Sequence, residues 1–451
     1  MNIILLSGGS GKRLWPLSND IRSKQFIKLF KDELGEYESM LQRVYRQITT
    51  ADIDAKVTIA TSKSQVSSIH NQIGDKVSIC VEPCRRDTFP AILLSAAYLH
   101  DELGVGIEEV VIVCPIDPYV DNSYYEGLGK LEKLVEQKTA NLTLMGVEPT
   151  YPSEKYGYII PKTLGTVSMV KEFKEKPDTE TAKKYLEQNA MWNAGVFAFR
   201  LGYLLEKGHN MVDFTDYSDL YSKYGTLTKI SFDYAVVEKE ISIQVMRYSG
   251  DWRDVGTWNT MSEVMADDIK GKAIMDENCK NTQIVNELNI PIICMGCKDM
   301  VIAASGDGIL ISDKECSGYM KPYVEKVSTD AMFAEKSWGT YTVIDVQPGA
   351  MTVKVSMKAN EHMSYHSHDY REEILTVVFG KGKVTVDGVE QILRTGDVIT
   401  ISAECKHMVE AITDLDIIEV QLGKSISVQD KKKYPLEEAK LLAEAKVFDR
   451  K

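Results

Sequence analysis

Short apolar runs alternate with longer amphipathic segments through the first half of this chain of 451 residues. Residues 39–50, 88–103 and 122–138 carry apolar side chains at helical spacing, and the shorter runs have the length of buried strands: IILLS, KVTIAT, VSICVE, EVVIVCP and NLTLMGV. Strands that alternate with helices form a mostly parallel sheet with helices on both faces. The alternation therefore predicts an α/β Rossmann-like domain whose ligands bind at the carboxyl ends of the strands.

The pattern changes near residue 270. From there to residue 327, short strand-like pieces are broken by Gly, Asn and Asp, which predicts a small β-rich connector with no strong helix. From residue 335 onward, short strands separated by glycine turns predict an all-β sandwich or small barrel, and the charged sequence KKKYPLEEAKLLAEAKVFDRK predicts a terminal helix. We expect domain limits at 1–265, 266–330 and 331–451.

The net charge limits which kinds of partner the protein is expected to bind, and the cysteine pattern indicates the redox state of its compartment. The net charge of −13 argues against a nucleic acid or an anionic membrane as the main partner. No apolar run approaches transmembrane length, and the first strand begins at once, so we expect a cytoplasmic protein. Eight irregularly spaced cysteines predict reduced thiols. Cys294 and Cys297 have no second pair nearby, which predicts two small buried residues rather than a zinc or redox site.

A glycine-rich stretch, SGGSGKRLWPLS, follows the first predicted strand. Glycine lets backbone N–H groups approach an anion closely, so the stretch predicts a phosphate-binding loop. It fits neither common template. The P-loop needs glycine at Leu6 and Ser or Thr at Arg13, and the dinucleotide fingerprint needs glycine at Leu14. Two cations, Arg13 and Lys24, stand beside the glycines and suit a triphosphate.

Six further blocks follow along the chain: EPCRRDTFPAI, CPIDPYV, YPSEKYGYI, EFKEKPD, MWNAGVF and DWRDVGTW. Taken singly, each also fits a structural role, since Asp117 could cap a helix and Lys176 could be a turn lysine. Together with the opening loop and KQF, they resemble the blocks of sugar-1-phosphate nucleotidylyltransferases, specifically the mannose-1-phosphate guanylyltransferases. The resemblance implies transfer of GMP from GTP to mannose-1-phosphate, with GDP-mannose and pyrophosphate as products.

The same resemblance implies roles for individual residues. Catalysis is assigned to Arg13, Lys24, Asp117, Asp254 and Lys176, with Mg²⁺ held by the two aspartates. Nucleotide binding is assigned to Leu6, Gly8, Gly9, Gly11, Arg13, Lys24, Glu82, Arg86, Asp87 and Asp117. Binding of the sugar phosphate is assigned to Gly157, Glu175, Lys176 and Asn193.

The sequence departs from the family pattern near the nucleotide. Lys12 stands for the usual threonine, Arg85 for glycine and Asp87 for asparagine. Arg85 and Asp87 lie where the base is expected to be recognised. A nucleotidylyltransferase for another base or another sugar-1-phosphate is therefore the alternative interpretation.

A pattern of histidines and a carboxylate lies in the C-terminal half. The spacing H-x-H-x₄-E-x₆-G places His366 and His368 on one face of a strand, where Glu373 and His407 can converge from neighbouring strands. Three imidazoles and a carboxylate suit Zn²⁺ or another divalent transition metal, and exposed strand histidines are the alternative. His362 lies outside the pattern.

This C-terminal region resembles a cupin, a jelly-roll barrel, and more closely the type II phosphomannose isomerase domain fused behind guanylyltransferases of this family. KSWGTYTVID is similar to the domain's opening and IEVQLG to its closing strand. The resemblance implies interconversion of fructose-6-phosphate and mannose-6-phosphate. However, Ser364 replaces a glutamine, two residues are inserted before Arg371, and Ile374 and Leu375 replace a His-Trp pair. A non-catalytic binding or oligomerisation module, in a possible homodimer, is the alternative.

Overall fold

The computed structural model describes residues 1–8, 11–19, 21–327, 332–424, 426 and 430–437. The chain forms two compact units. The first consists of Met1–Leu14 and Ser23–Asp267, and the second of Trp15–Arg22 and Asp268–Lys451. The segment Trp15–Arg22 therefore belongs to the second unit, although it follows the first strand closely in sequence. The three domain limits stated above remain predictions.

The first unit contains thirteen strands within the described residues. They are β1 (Asn2–Leu6), β2 (Lys28–Lys31), β3 (Tyr37–Ser39), β4 (Lys56–Ser62), β5 (Ser78–Glu82), β6 (Val110–Pro115), β7 (Pro118–Val120), β8 (Leu142–Val147), β9 (Tyr158–Pro161), β10 (Val167–Lys174), β11 (Met191–Arg200), β12 (Ile243–Tyr248) and β13 (Trp252–Asp254). Nine of them form one sheet, in the spatial order β5-β4-β1-β6-β11-β8-β12-β10-β9.

Seven strands of this sheet run in one direction, and β10 and β11 run in the other. The ladders β1–β4, β1–β6, β4–β5 and β8–β12 are parallel, whereas β11 is antiparallel to β6, β8 and β9, and β10 is antiparallel to β9 and β12. The predicted mostly parallel sheet is confirmed, and the five strands expected from apolar runs begin and end within one residue of their predicted positions.

Three of the helices in the first unit begin at a residue whose side chain caps them. Ser39, Asp87 and Asp121 each accept a hydrogen bond from the backbone N–H of an early residue of the following helix. The three predicted helices are confirmed as α1, α3 and α4 of a set that comprises α1 (Met40–Thr50), α2 (Val66–Ile73), α3 (Thr88–Asp101), α4 (Asn122–Glu136), α5 (Thr179–Leu186), α6 (Leu201–Met211), α7 (Tyr217–Lys223), α8 (Phe232–Ala235) and α9 (Trp258–Ser262).

The core of this unit lies between the sheet and its helices. Val111 and Leu144 of the sheet pack in one buried cluster with Ile92 and Leu93 of α3. The α3 side chains are apolar nearly all round the helix, which is why ten of its residues are buried. This packing holds the carboxyl ends of β1, β5 and β6 in one layer, where the loops that carry the candidate residues begin.

The β-rich connector of the second unit is confirmed. Its strands are β14 (Ile269–Gly271), β15 (Ala273–Met275), β16 (Gln283–Asn286), β17 (Ile292–Cys294), β18 (Met300–Ser305) and β19 (Gly308–Asp313). They form a sheet of order β14-β16-β18-β19 and a separate parallel pair, β15–β17. The connector ends in a two-turn helix, α10 (Lys321–Val327), which the broken sequence pattern did not predict.

Cys294 and Cys297 of this connector are packing residues, although only Cys294 is fully buried as predicted. Cys294 is buried in a cluster with Ile284 and Ile302, and the half-buried Cys297 packs against the same cluster. All eight cysteines of the chain are free thiols.

The all-β region is confirmed as two sheets with a shared apolar core. One sheet has the order β20-β21-β22-β29-β24-β27 and the other β26-β25-β28-β23-β30, with the strands β20 (Phe333–Lys336), β21 (Gly339–Gln347), β22 (Ala350–Met357), β23 (His366–Ser367), β24 (Arg371–Phe379), β25 (Lys381–Val386), β26 (Val389–Arg394), β27 (Val398–Ile401), β28 (His407–Ala411), β29 (Leu415–Gly423) and β30 (Lys432–Lys433). Most of the predicted terminal helix, residues 438–451, lies outside the described residues. None of the described helices is both long and apolar enough to cross a membrane.

Candidate functional site

The glycine-rich loop, predicted to bind phosphate, follows β1, which ends at Leu6, and leads to a short 3₁₀ turn, Gly11–Leu14. Gly9 lies outside the described residues. A Cβ atom at Gly8 would meet nothing within 4 Å, so the free protein leaves open space beside this backbone. The exposed Arg13 follows directly in the turn. An exposed cation beside an open backbone is suited to an anionic ligand.

Two aspartates lie at one end of a short antiparallel ladder. Asp117 immediately precedes β7, and β13 ends at Asp254, which lies opposite Pro118 in the ladder. Cations lie close to both: Lys24 Nζ is 3.0 Å from Asp117 Oδ2, and Arg13 Nη1 and Asp254 Oδ1 both approach within 4 Å of the Cβ position of Gly256. Four of the five predicted catalytic residues therefore converge.

The donor set at this ladder suits a hard divalent cation. Asp117 Oδ1 is a buried atom with no hydrogen-bond partner among the described residues. Tyr156 donates a long hydrogen bond, 3.5 Å, to Asp254 Oδ2. An unengaged carboxylate oxygen next to a second carboxylate is the ligand arrangement that Mg²⁺ prefers when phosphate oxygens complete its shell.

The residues expected near the base contact a turn that the sequence analysis did not single out. Glu82 ends β5 and accepts a hydrogen bond from the hydroxyl of Tyr224 at 2.6 Å. Burial raises the pKa of Glu82. Arg86 donates from Nη2 to the carbonyl of Gly225, and its Nε is buried without a partner among the described residues. These contacts tie the candidate base pocket to Tyr224 and Gly225.

Asp87 has a structural task in addition to its predicted one. Its backbone has φ of +70° and ψ of −175°, a strained conformation that is essentially restricted to glycine and that the surrounding structure must hold. Its side chain accepts the N–H of Thr88 at 2.8 Å and so caps α3. An asparagine, which the family pattern has here, could make the same cap with its Oδ1.

The four predicted sugar-phosphate residues come together beside β11. Lys176 Nζ lies 2.6 Å from Glu175 Oε1, and the N–H of Asn193 donates to the carbonyl of Gly157 at 2.8 Å. A Cβ atom at Gly157 would lie 2.5 Å from Glu175 Oε2, so glycine is required for this close approach. Lys176 has φ of +46°, an uncommon backbone for lysine of the kind that concentrates at functional sites.

Asp233 is a member of this group that the sequence analysis missed. Asn193 donates from Nδ2 to Asp233 Oδ1 at 2.8 Å, and its Oδ1 accepts the N–H of Gly195 at 3.1 Å, so both ends of the amide are held. Burial and the nearby Glu175 carboxylate raise the pKa of Asp233 to about 7. The available signal was an acid within the otherwise apolar run FDYAVV, where Phe232 and residues 235–237 are buried.

In the second unit, the predicted metal ligands form one buried cluster. His366 lies opposite His407 in the β23–β28 ladder, and Glu373 lies on β24. One ligand atom from each of His366, His368, Glu373 and His407 lies within 4.8 Å of all the others. His362 is outside the cluster, as expected. The four side chains thus have the spacing and the chemistry of a transition-metal site.

Backbone carbonyls orient all three imidazoles of the cluster. The Nδ1 atoms of His366 and His407 lie 2.7 Å and 3.0 Å from the carbonyls of Ser364 and Cys405, and that of His368 bonds to the carbonyl of Asp430. A ring nitrogen beside a carbonyl must carry the proton, which leaves each Nε2 as a lone pair. Burial lowers the pKa of His366 to about 2, which keeps this ring neutral.

One close contact of the cluster lacks a hydrogen bond. His407 Nε2 lies 3.0 Å from Glu373 Oε2 but makes no hydrogen bond of acceptable geometry. Arg371 donates from Nε to Glu373 Oε1 at 2.9 Å and approaches His368 Nε2 with Nη2 at 3.0 Å. The three ring nitrogens Nε2 and the Glu373 carboxylate are ligand atoms that fit a divalent metal.

A larger cavity adjoins the cluster within the same unit. It has a volume of about 1080 Å³ and shares Trp338, Tyr341, Arg371 and Lys431 with the small cavity at the histidines. Three further lysines line it, Lys336, Lys424 and Lys433. An apolar chamber with five cationic side chains beside a metal cluster is suited to a small anionic ligand.

The comparisons with known proteins agree with this division of the chain. The nucleotidyl transferase family model matches residues 2–271, and the chain belongs to this family. The model for the C-terminal domain of mannose-6-phosphate isomerase matches residues 325–434.

Particular relatives extend along nearly the whole chain. The xanthan biosynthesis protein XanB of Xanthomonas campestris pv. campestris is 29% identical, with 95% of this chain and 96% of that protein covered. A mannose-1-phosphate guanylyltransferase of Escherichia coli K12 is 27% identical with the same coverage. The crystal structure of a mannose-1-phosphate geranyltransferase from Thermus thermophilus is similar with a TM-score of 0.59 at 26% identity, covering 73% of this chain and 99% of that one.

We predict that Asp233→Asn makes the first unit more stable than wild type as pH rises from about 4 to about 7. The unfolded aspartate is ionised above about pH 4, whereas the native carboxyl keeps its proton until about pH 7, so wild-type stability falls across this window. The relative gain approaches about 1.4 kcal/mol per pH unit at most. Thermal unfolding of both proteins across this pH range measures it.

Asp219→Asn is the matched control, because the ion pair with Lys223 and backbone hydrogen bonds lower the pKa of Asp219. Removing that carboxylate should cost stability at neutral pH and cost progressively less as pH falls through its native pKa. Parallel stability curves for Asp233→Asn and wild type would contradict the assignment of a protonated Asp233.

Proposed function

We propose that this protein is a mannose-1-phosphate guanylyltransferase, which transfers GMP from GTP to mannose-1-phosphate. One observation carries the proposal: the β7–β13 ladder brings Asp117 and Asp254 together, with Lys24 and Arg13 against them. Nucleotidyl transfer needs this combination of a metal-binding carboxylate pair and fixed cations around a triphosphate. The names of the curated relatives support the choice of GTP and mannose-1-phosphate.

In the proposed reaction an oxygen of the sugar phosphate attacks the α-phosphorus of the nucleotide, and pyrophosphate leaves. The nucleophile is already anionic, so no side chain has to remove a proton. Mg²⁺, held by Asp117 and Asp254, supplies charge neutralisation at the reacting phosphates when bound. Arg13 and Lys24 neutralise the departing pyrophosphate, and Lys176 holds the phosphate of the sugar.

Sugar recognition is assigned to the group around Asn193. The amide of Asn193 is held at both ends, so the N–H of Nδ2 not used by Asp233 has a defined direction. The buried Glu175 presents a carboxylate oxygen beside Gly157, where any side chain would intrude. Fixed donors and acceptors of this kind select hydroxyl positions on a sugar ring.

We predict that pyrophosphate release with Mg²⁺ and mannose-1-phosphate occurs with GTP and not with ATP, CTP or UTP. Asp254→Asn should lower kcat by about 100-fold or more, because a metal ligand is lost where charge develops. Asp251→Asn is the matched control, since Asp251 is exposed and accepts a hydrogen bond from Arg253.

Each other outcome of this assay contradicts part of the proposal. Release with another nucleotide would refute guanine specificity and indicate a base pocket altered at Arg85 and Asp87. When the assay is repeated with other sugar-1-phosphates, release with one of those alone would refute the choice of mannose. No release with any tested combination of nucleotide and sugar-1-phosphate would refute the nucleotidylyltransferase activity itself.

A second activity is favoured by the histidine cluster. We propose that His366, His368, Glu373 and His407 bind Zn²⁺ or another divalent transition metal and that the adjoining cationic cavity admits a hexose 6-phosphate. Three Nε2 lone pairs and a carboxylate support the metal, and Arg371 and Lys431 support the phosphate. The bound metal would polarise the sugar oxygens for isomerisation between mannose-6-phosphate and fructose-6-phosphate. A homodimer and a cytoplasmic location are further proposals from the sequence.

We predict about one transition-metal ion per chain in protein purified without chelator, and a loss of that metal in His366→Ala. His362→Ala is the matched control, because His362 is a nearby histidine whose Nδ1 bonds to the carbonyl of Met363 outside the cluster. Elemental analysis by mass spectrometry measures the content. Equal metal in wild type and His366→Ala would contradict the site, and metal binding without isomerase activity would leave the cupin as a binding module.

A further inference from the structure

Glu82, the last residue of β5, lies at the same edge of the sheet as the glycine-rich loop. In the parallel ladders β1–β4 and β4–β5, Leu6 lies opposite Ala60 and Ala60 lies opposite Cys80, so Glu82 is two residues beyond the level of Leu6. Neighbouring strands are about 4.8 Å apart, which separates β5 from β1 by about 10 Å. A triphosphate bound at the glycine-rich loop therefore leaves Glu82 within reach of the base and not of the phosphates.

The hydroxyl of Tyr224 holds the Glu82 carboxylate from the side of the core. It donates to Glu82 Oε2 at 2.6 Å, although the two residues are 142 positions apart in the sequence. The side chain of Tyr224 has no exposed surface and belongs to the same apolar cluster as Ile92 and Leu93 of α3. Because a close-packed ring cannot shift without displacing its neighbours, the hydroxyl has one fixed position.

The surroundings of this pair keep the tyrosine as the donor and the glutamate as the acceptor. Burial and the nearby Glu82 carboxylate raise the pKa of Tyr224, so the phenol keeps its proton. Burial also raises the pKa of Glu82, while the Tyr224 hydroxyl and the charge of Arg85 act in the opposite direction. An ionised carboxylate offers about four lone pairs, so Glu82 can accept further hydrogen bonds beside the one from Tyr224.

A carboxylate held in one orientation can distinguish guanine from the other bases. Guanine presents two adjacent donors on its Watson–Crick edge, the ring N1–H and the exocyclic amino group, and a carboxylate can accept one hydrogen bond at each oxygen. Adenine and cytosine present an unprotonated ring nitrogen there, and uracil presents a single N–H between two carbonyls. The paired contact is lost when the carboxylate rotates, so the contact depends on the group that fixes Glu82.

We propose that Tyr224 is a positioning residue for guanine selection, because its hydroxyl orients the Glu82 carboxylate toward the N1–H and the amino group of the base. The inference rests on the proposed function and deepens it by naming residues that select the base. Both residues belong to the first compact unit. The pair includes neither Arg85 nor Asp87, the two positions at which the base region departs from the family pattern.

Tyr224→Phe tests this role, because it removes the hydroxyl and keeps the buried ring. The probe is inosine triphosphate, which differs from GTP only in lacking the exocyclic amino group. We expect wild type to prefer GTP to inosine triphosphate by about 10-fold in kcat/KM and in affinity, and Tyr224→Phe to prefer it by no more than about threefold. The KM for mannose-1-phosphate should stay within about twofold of wild type. Steady-state kinetics and isothermal titration calorimetry measure these quantities.

Tyr203→Phe is the matched control. It removes another hydrogen bond from a tyrosine hydroxyl to a carboxylate, in this case to Glu240 Oε2 at 2.8 Å. Glu240 also accepts a hydrogen bond from the side chain of Asn141, the residue before β8, so this pair lies at the opposite edge of the sheet from Glu82. The control should lose stability and keep the wild-type preference for GTP.

A folded Tyr224→Phe protein with the wild-type preference for GTP would overturn the proposal. An equal fall in kcat/KM for both nucleotides would also overturn it, because a general loosening of the core predicts that result. So would a wild type that does not discriminate between the two nucleotides.

Two further results separate this proposal from its premises. If Tyr224→Phe does not fold, Glu82→Gln, which replaces one acceptor by an amide donor, should lose the preference for GTP. The wild-type preference in Glu82→Gln would overturn the proposal. A wild type that binds GTP in preference to inosine triphosphate but releases no pyrophosphate would refute the proposed function and support the role of the Glu82–Tyr224 pair in base recognition.

Discussion

The pairing of β7 with β13 is the contact on which the proposed active site depends. The two strands have only three residues each and are far apart in sequence, yet their register puts Asp254 opposite Pro118 and hence beside Asp117. A cation lies close to each aspartate: Lys24 Nζ is 3.0 Å from Asp117 Oδ2, and Arg13 Nη1 and Asp254 Oδ1 both lie within 4 Å of the Cβ position of Gly256. The site therefore combines fixed negative and positive charges, and it is suited to bind a divalent cation and a triphosphate. The proposed sugar subsite next to β11 is built differently, from the held amide of Asn193 and the close approach at Gly157 rather than from charge alone.

The candidate metal cluster of the second unit is built differently from the proposed active site of the first. Its charges are few and deeply buried, and backbone carbonyls of residues 364, 405 and 430 set the protonated nitrogen of each ring. Three ring-nitrogen lone pairs that face one carboxylate are unfavourable without a cation, and they are well placed to bind a metal ion. The isomerase pattern is broken at Ser364 and at Ile374–Leu375, but neither position is one of the four ligands. The departures thus lie around the four candidate ligands and leave these four residues in place.

The periodicity of the sequence predicted the secondary-structure elements and the four residues of the histidine cluster. It did not predict the contacts between segments that lie far apart in the sequence. The apolar runs predicted β1, β4, β5, β6 and β8, because a strand covered on both faces must be apolar throughout. The histidine spacing predicted the metal ligands, because residues two apart share a face of a strand. Asp233 was missed since its partner Asn193 is 40 residues away. The contact of Glu82 with Tyr224 was missed for the same reason: the two residues are 142 positions apart, and no local pattern encodes such a contact.

The central claim is that Asp117 and Asp254 hold one metal ion against the reacting phosphates. The most direct measurement is a crystal structure of the protein with GDP-mannose and Mg²⁺. The account predicts one ion bound by both carboxylates and by the diphosphate, with the sugar against Glu175 and Asn193 and the guanine near Glu82. An ion that touches neither aspartate, or a nucleotide bound away from the β7–β13 ladder, would contradict it.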